Sequence, residues 1–344
     1  MRIRHEDEVE KLEPRRSARA LRWAALALSI GALVACRDGR GPEAASASLT
    51  STSGGARCDG IRLSSGLDLV VLGSGGPRSA GRTASSYLLA VGGTPRVLVD
   101  AGPGSFARLG ETGLPADKLD ILLLTHLHID HAGDVPGIVK SRDLSGDRPV
   151  GYRVFGPTAR GPYPKTSTFV DRLFGDEGVF AYLPSFRNEL DIRPTDLPID
   201  LAAGPRVILE EGDLVVSTVA VDHGEVPAVA YRVELGGRSV VVSGDLASKR
   251  GRIEDLARGA DVLVYDAAVL DPPGSPQQLY DLHTPPRRIG EVAAAAGVRT
   301  LLLSHVPPAV DARRAEVLAS VRASFAGDVR FAHDCMHVAI GGAR

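Results

Sequence analysis

Residues 122–134 read "LLLTHLHIDHAGD" and set His126, His128, Asp130 and His131 within six positions of a chain that holds nine histidines. The apolar run before them is short, continuous and closed by polar residues, which reads as a buried strand. His126 and His128 leave that strand at i and i+2, and Asp130 and His131 follow where the chain turns toward a helix. Side chains at this spacing point in different directions, so one loop can offer ligands to two adjacent metal ions. Imidazole and carboxylate are the donors that Zn²⁺ takes where thiolate is absent.

Three more polar residues follow apolar strands in the same manner. His223 ends "VVSTVAVDH", Asp245 ends "SVVVSGD" and His305 ends "TLLLSH". With the loop cluster they make seven donors, a number that suits two cations sharing one bridging carboxylate. His333 and His337 flank Cys335 at strand spacing, outside these patterns, and read as structural. Gly73, Gly75 and Gly76 lack the spacing of a dinucleotide fingerprint and read as a tight turn near the metals.

The chain has 344 residues, 44% of them hydrophobic, enough for one large domain or two small ones with a real core. A net charge of −2 supplies no broad basic field, which disfavours a dedicated nucleic-acid binder. Arg outnumbers Lys 35 to 5, but Ala and Gly are also abundant, so the bias reads as compositional. The first 36 residues differ from the rest. "RRSARALRW" is positive and "AALALSIGALVA" is a twelve-residue apolar run, too short to span a bilayer comfortably but suited to an export signal. The stretch Leu33, Val34, Ala35, Cys36 resembles the lipobox of bacterial lipoproteins, with Cys36 as the lipidated first residue of the mature chain. Residues 37–60 read as a flexible tether rich in Gly, Ser, Ala and Thr. Beyond Cys36 only Cys58 and Cys335 remain; they are either bridged or two unpaired thiols.

Residues 61–344 read as one domain of alternating strands and helices. "LDLVVLGSGG", "SSYLLAV", "RVLVDAG", "DILLLTH" and "YRVFG" read as strands, and "DVPGIVKSRDL" and "STFVDRLFG" as helices. Residues 175–205 are Pro-rich and weakly periodic, and read as irregular. A second strand group follows from 206, with "LGG" at a hairpin turn, and further alternation runs to the end. Strand clusters interleaved with helices in both halves imply two sheets packed face to face with helices outside.

"THLHIDH" resembles the HxHxDH signature of the metallo-β-lactamase superfamily. "LGSGGPRSAGRTASSYLLAVGGTPRVLVDAGPGS" and "DLHTPPRRIGEVAAAAGVRTLLLSHVPP" resemble the opening and closing motifs of its ribonuclease Z and arylsulfatase-like branch. The resemblance runs from about residue 66 to the C terminus. It implies an αββα four-layer sandwich with two Zn²⁺, or Mn²⁺ or Fe in their place. His126, His128 and His223 would hold one, Asp130, His131 and His305 the other, and Asp245 would bridge them. The family pattern also implies a histidine polarised by a carboxylate that assists the leaving group, here His283 with Asp266. Relatives show a His-Glu-Ala run where this chain has "YDAAV", so the dyad departs from the pattern. Asp130 could orient the attacking hydroxide or accept its proton.

A metal pair makes hydroxide available from a shared, bridging water at neutral pH. The expectation is therefore an exported dinuclear zinc hydrolase acting on phosphodiesters or related esters such as aryl sulfates. A lactonase or other carboxylic ester hydrolase is the alternative, and a non-catalytic metal-binding protein the other. A small-molecule ester is the expected substrate, nucleic acid is disfavoured, and membrane contact is expected through a lipid on Cys36. The sequence is silent on the oligomeric state and on whether residues 157–205 form a lid.

Overall fold

The computed structural model describes residues 58–78, 81–144, 150–183 and 190–341, all within one compact unit. The leader and residues 37–57 of the tether lie outside the described residues. The first half builds β1 (Leu67–Gly73), β2 (Ser86–Val91), β3 (Thr94–Val99), α1 (Ser105–Glu111), β4 (Ile121–Leu123), α2 (Ile129–Ala132), α3 (Val135–Leu144), β5 (Val150–Pro157), α4 (Thr166–Phe174) and β6 (Leu190–Leu197). The second half continues with β7 (Arg206–Glu211), β8 (Leu214–His223), β9 (Val226–Leu235), β10 (Arg238–Val242), α5 (Ile253–Leu256) and β11 (Val262–Asp266). It closes with α6 (Pro286–Ala296), β12 (Thr300–Ser304), α7 (Pro308–Asp311), α8 (Arg314–Arg322), β13 (Asp328–Phe331) and β14 (His337–Ile340).

Among the described residues the strands form two seven-stranded sheets, ordered β14-β1-β2-β3-β4-β5-β6 and β13-β12-β11-β10-β9-β8-β7. Both are mixed: hairpins pair antiparallel, while β3 to β6 and β10 to β13 run parallel. Strand periodicity explains the layering. In β1, Leu69 and Val71 face the other sheet, while Val70 and Leu72 face the outer helices. Likewise Val262 and Val264 of β11 point between the sheets, and Leu263 and Tyr265 point outward against α5 and α6. Strands covered on both faces need continuous apolar runs, which is why the sequence marks them so clearly. The result is helix, sheet, sheet, helix, with an apolar layer at each junction.

One reading changes. Residues 175–205 are not all irregular, because β6 pairs parallel with β5 through eight registered positions. It is an edge strand, largely half-exposed, whose apolar side is short, Leu190 and Ile192 against the outer layer, and its Pro194 is tolerated at an edge. The stretch "DVRFAHDCMHVAI" is two strands in different sheets, β13 against β12 and β14 against β1. Cys335, in the left-handed region at φ 65°, sits at the crossing and is disulfide-bonded to Cys58. Of the two alternatives for these cysteines, the structure shows the bridge.

Contacts between the sheets also register the metal-ligand loop. Tyr231 of β9 donates its hydroxyl to the carbonyls of Leu124 and Phe155, and Val229 N–H donates to Thr125 O at 2.9 Å. The histidine loop of one sheet is thus anchored directly to the other.

Candidate metal centre

The C-terminal ends of the parallel strands meet at one edge, where ligands bind in open α/β sheets. There β3 leads into Asp100, β4 into Thr125 and His126, and β10 into Asp245, β11 ends at Asp266, and β12 leads into His305. His223 closes β8 beside them. Distant loops therefore converge because their strands are neighbours, and the donors gather into sets. His126, His128 and His223 form one set, and Asp130, His131 and His305 another. Asp245 lies between them: its Oδ2 is 3.9 Å from the Nε2 of both His126 and His223 and 3.3 Å from His305 Nε2, and its Oδ1 is 3.3 Å from His131 Nε2. Two donors each about 2 Å from a tetrahedral Zn²⁺ stand roughly 3.3 Å apart, so these spacings suit cation ligands.

Hydrogen bonds decide which ring nitrogen faces the centre. His131 Nδ1 donates to Asp100 at 2.7 Å, and His223 Nδ1 donates to Leu282 O at 2.8 Å. His126 Nδ1 lies 3.1 Å from Thr125 Oγ1, whose own proton goes to Asp100. With Nδ1 engaged, the Nε2 atoms of His126, His131 and His223 carry the lone pairs, and all three are buried without a hydrogen-bond partner, as is Asp245 Oδ1. Buried acceptors are normally satisfied. A lone pair aimed into a shared space with carboxylates fits a divalent cation, so the residues present fit the metals that the family implies.

Charge tells the same story. Burial keeps His126, His128 and His223 below the ordinary imidazole range, His223 at about 4, so they are neutral ligands. Burial also opposes charge on His131 and His305, but Asp245 overcomes it, joined by Asp100 for His131 and by Asp130 for His305, and both rings are raised. Burial resists ionisation of Asp245, yet the facing His305 and His131 hold its carboxyl well below the usual range. The carboxylates demand positive charge at this spot.

Beside this centre, His283 Nδ1 donates to Asp266 Oδ2 at 2.6 Å. The aspartate spans the gap despite its short side chain, because His283 is itself buried against β11's end. Burial works against charge on His283, but Asp266 outweighs it and raises the ring to about 9. The other oxygen of Asp266 receives Ala268 N–H and stands 3.6 Å from His305 Nδ1. His333 and His337 join none of the ligand sets; His337 bonds Asp68 at 2.8 Å on the β14–β1 pair. The glycine turn lies against the site: a Cβ at Gly76 would stand 2.6 Å from His305 Cε1, so only glycine fits without moving that ring.

Asp100 and Thr125 are site residues that the sequence reading missed. Asp100 accepts from Thr125 N–H, Thr125 Oγ1 and His131, and so orients two histidines. It is fully buried at φ 58°, and His305 stands at φ 57°; left-handed non-glycine residues are uncommon and cluster at functional sites. The available signal was an aspartate ending "RVLVD", the same pattern as Asp245. From residues 158–165, Tyr163 lies 6.4 Å from the His128 ring, while α4 packs on β5 and β6.

The metallo-beta-lactamase superfamily profile matches residues 80–305, and the chain belongs to that family. Fold and site together define a metal-dependent hydrolase. The chain is 32% identical over 293 residues to a ribonuclease Z of Mycolicibacterium paratuberculosis, covering 80% of this chain and 98% of the relative. Among solved structures it is similar in fold to the metallo-beta-lactamase fold protein YhfI from Bacillus subtilis, at TM-score 0.62 and 21% identity, covering 79% of this chain and 98% of that one. The short form of human tRNase Z matches at TM-score 0.62 and 20% identity, covering 79% and 99%.

Proposed function

We propose that the protein is an exported, dinuclear zinc hydrolase of phosphodiesters or related esters such as aryl sulfates. The observation that carries the reading is the convergence of two donor sets on Asp245, with the His283–Asp266 pair at their side. When bound, two divalent cations acidify a water and offset charge on the attacked group. The chain supplies the rest. Asp266 fixes the His283 ring through Nδ1, so that His283 Nε2 holds the proton that a departing oxygen needs. Asp130, whose burial is outweighed by His305 and His131 so that it stays ionised, can accept a hydrogen bond from the attacking water and orient it. All seven donors are nitrogen or oxygen, which supports zinc, with Mn²⁺ or Fe as substitutes. The leader supports export, and so does the Cys58–Cys335 bridge, since disulfides persist in oxidising compartments.

The named activity of the mycobacterial relative favours a second reading, cleavage of RNA. Against it stand the net charge of −2 and a short segment after β5 that packs as α4 on its own sheet. The test uses the protein from residue 37 onward. It should bind two zinc ions and hydrolyse bis-p-nitrophenyl phosphate better than a lactone, p-nitrophenyl sulfate being the second ester assayed; a transfer RNA precursor should stay uncut. His128→Ala should abolish turnover. Activity surviving His128→Ala would remove the metals from the chemistry, lactone preference would overturn the phosphodiester choice, and precursor cleavage would establish the RNA reading. Radiolabelled lipid incorporated in the full chain and lost in Cys36→Ala would support the anchor; its absence in both would dismiss it.

A further inference from the structure

A cleft of about 560 Å³ opens from His128, within the size range of small-molecule sites. Its walls come from four segments: Tyr163, the β8–β9 turn at Gly224 and Glu225, Lys249 and Arg250 after β10, and Gln278 to Leu282 ahead of His283. The charges on these walls are largely spent on one another. Arg250 grips Asp222 with two nitrogens at 2.9 and 3.0 Å, and Lys249 pairs with Asp281. Glu225 is mostly exposed, 3.9 Å from Arg160 and within electrostatic reach of Arg250. A second phosphate entering here would meet carboxylates and no cation without a partner. With its charges paired and an aromatic side chain on one wall, the cleft suits an uncharged ring better than a second phosphate.

Tyr163 is the aromatic wall of this cleft. It sits between Pro162 and Pro164, which restrict the backbone. Its backbone pairs in both directions with Arg160, and Arg160 in turn reaches across to Gly224 O at 3.3 Å. The backbone that carries the ring is thus tied, through Arg160, to the β8–β9 turn of the other sheet. Its hydroxyl is hydrogen-bonded to no described residue. At 6.4 Å from the His128 ring, Tyr163 is within stacking reach of a ring joined closely to an ester oxygen at the metal centre.

Resting on the hydrolase reading above, we propose that Tyr163 is a specificity-determining residue that stacks an uncharged aromatic arm of the substrate. The substrate class is then a monoanionic ester carrying an aryl or base-like ring on one side. The anionic group sits at the metals and the ring lies in the cleft against Tyr163.

The test measures binding, so it does not depend on turnover. Zinc-loaded protein is titrated calorimetrically with methyl phenyl phosphate and with dimethyl phosphate. The wild type should prefer the phenyl ester by about tenfold. Tyr163→Phe should retain that preference and Tyr163→Ala should reduce it to about twofold or less. Zinc content, measured for each variant, should stay at the wild-type value. Equal affinity for the two esters in the wild type, or an unchanged preference in Tyr163→Ala, would overturn the assignment. Hydrolysis of bis-p-nitrophenyl phosphate is followed separately. Its absence alongside an intact aryl preference sinks only the hydrolase reading; its presence without the preference sinks only the role of Tyr163.

Discussion

Replacing both bridged cysteines tests how the two ends of the domain are held together. Cys58 and Cys335 are separated by 277 residues, and the chain-entropy relation for a closed loop of that length gives about 5.5 kcal/mol. Real denatured chains keep some compactness, which lowers the expectation to roughly 3–5 kcal/mol. Cys58 is buried, so its replacement by alanine adds a small packing loss to the loss of the link. For a chain of this size a urea m-value of about 2–3 kcal/mol/M turns that loss into a midpoint shift of roughly 1–2 M. The assay is urea unfolding of Cys58→Ala/Cys335→Ala beside the wild type, with dithiothreitol added to the wild type in a third curve. Reductant should bring the wild type to the variant's midpoint. A loss under about 1 kcal/mol, or a wild type indifferent to reductant, would refute the argument that the bridge constrains the unfolded chain.

Asp100→Asn should lower zinc affinity about 10- to 100-fold in chelator competition while the fold persists by circular dichroism, because His131 and the Thr125–His126 pair lose their shared acceptor. Asp266→Asn removes the larger of the two carboxylate influences that raise His283 to about 9, leaving burial opposed only by the more distant Asp245. The proton is held below the ring's pKa and lost above it, so the alkaline limb of the kcat profile should move down from near pH 9. Turnover at pH 8 should fall about tenfold, with a smaller loss at pH 6; an unmoved limb would exclude His283 as the proton donor. Gly76→Val should push His305 off its position and weaken zinc binding at least tenfold, at a stability cost of about 1–3 kcal/mol, read by zinc titration and thermal melting.

The fold was open to sequence reading where strands are buried on both faces. β4, β11 and β12 announce themselves as apolar runs ended by the polar residues of the site, and β1 as one ended by the glycine turn. β6 was not, because its apolar side is only Leu190 and Ile192, while charges and Pro194 fill most of the rest of the edge strand. The split between β13 and β14 was equally hidden: a change of sheet is a fact about neighbours, and local periodicity carries no information about them.

By itself, the amino-acid order determined the chemistry: the seven donors, their nitrogen and oxygen character, and their places at strand ends. Those are properties of short segments, where composition and spacing suffice. Tertiary structure alone decided that Cys58 meets Cys335, that Asp266 reaches His283, that Asp100 steers His131, and that Tyr163 stands beside His128. Each of these pairs joins residues remote in sequence or side chains of uncertain reach. Their distances are set by how the two sheets twist and pack, a global outcome that no local pattern encodes.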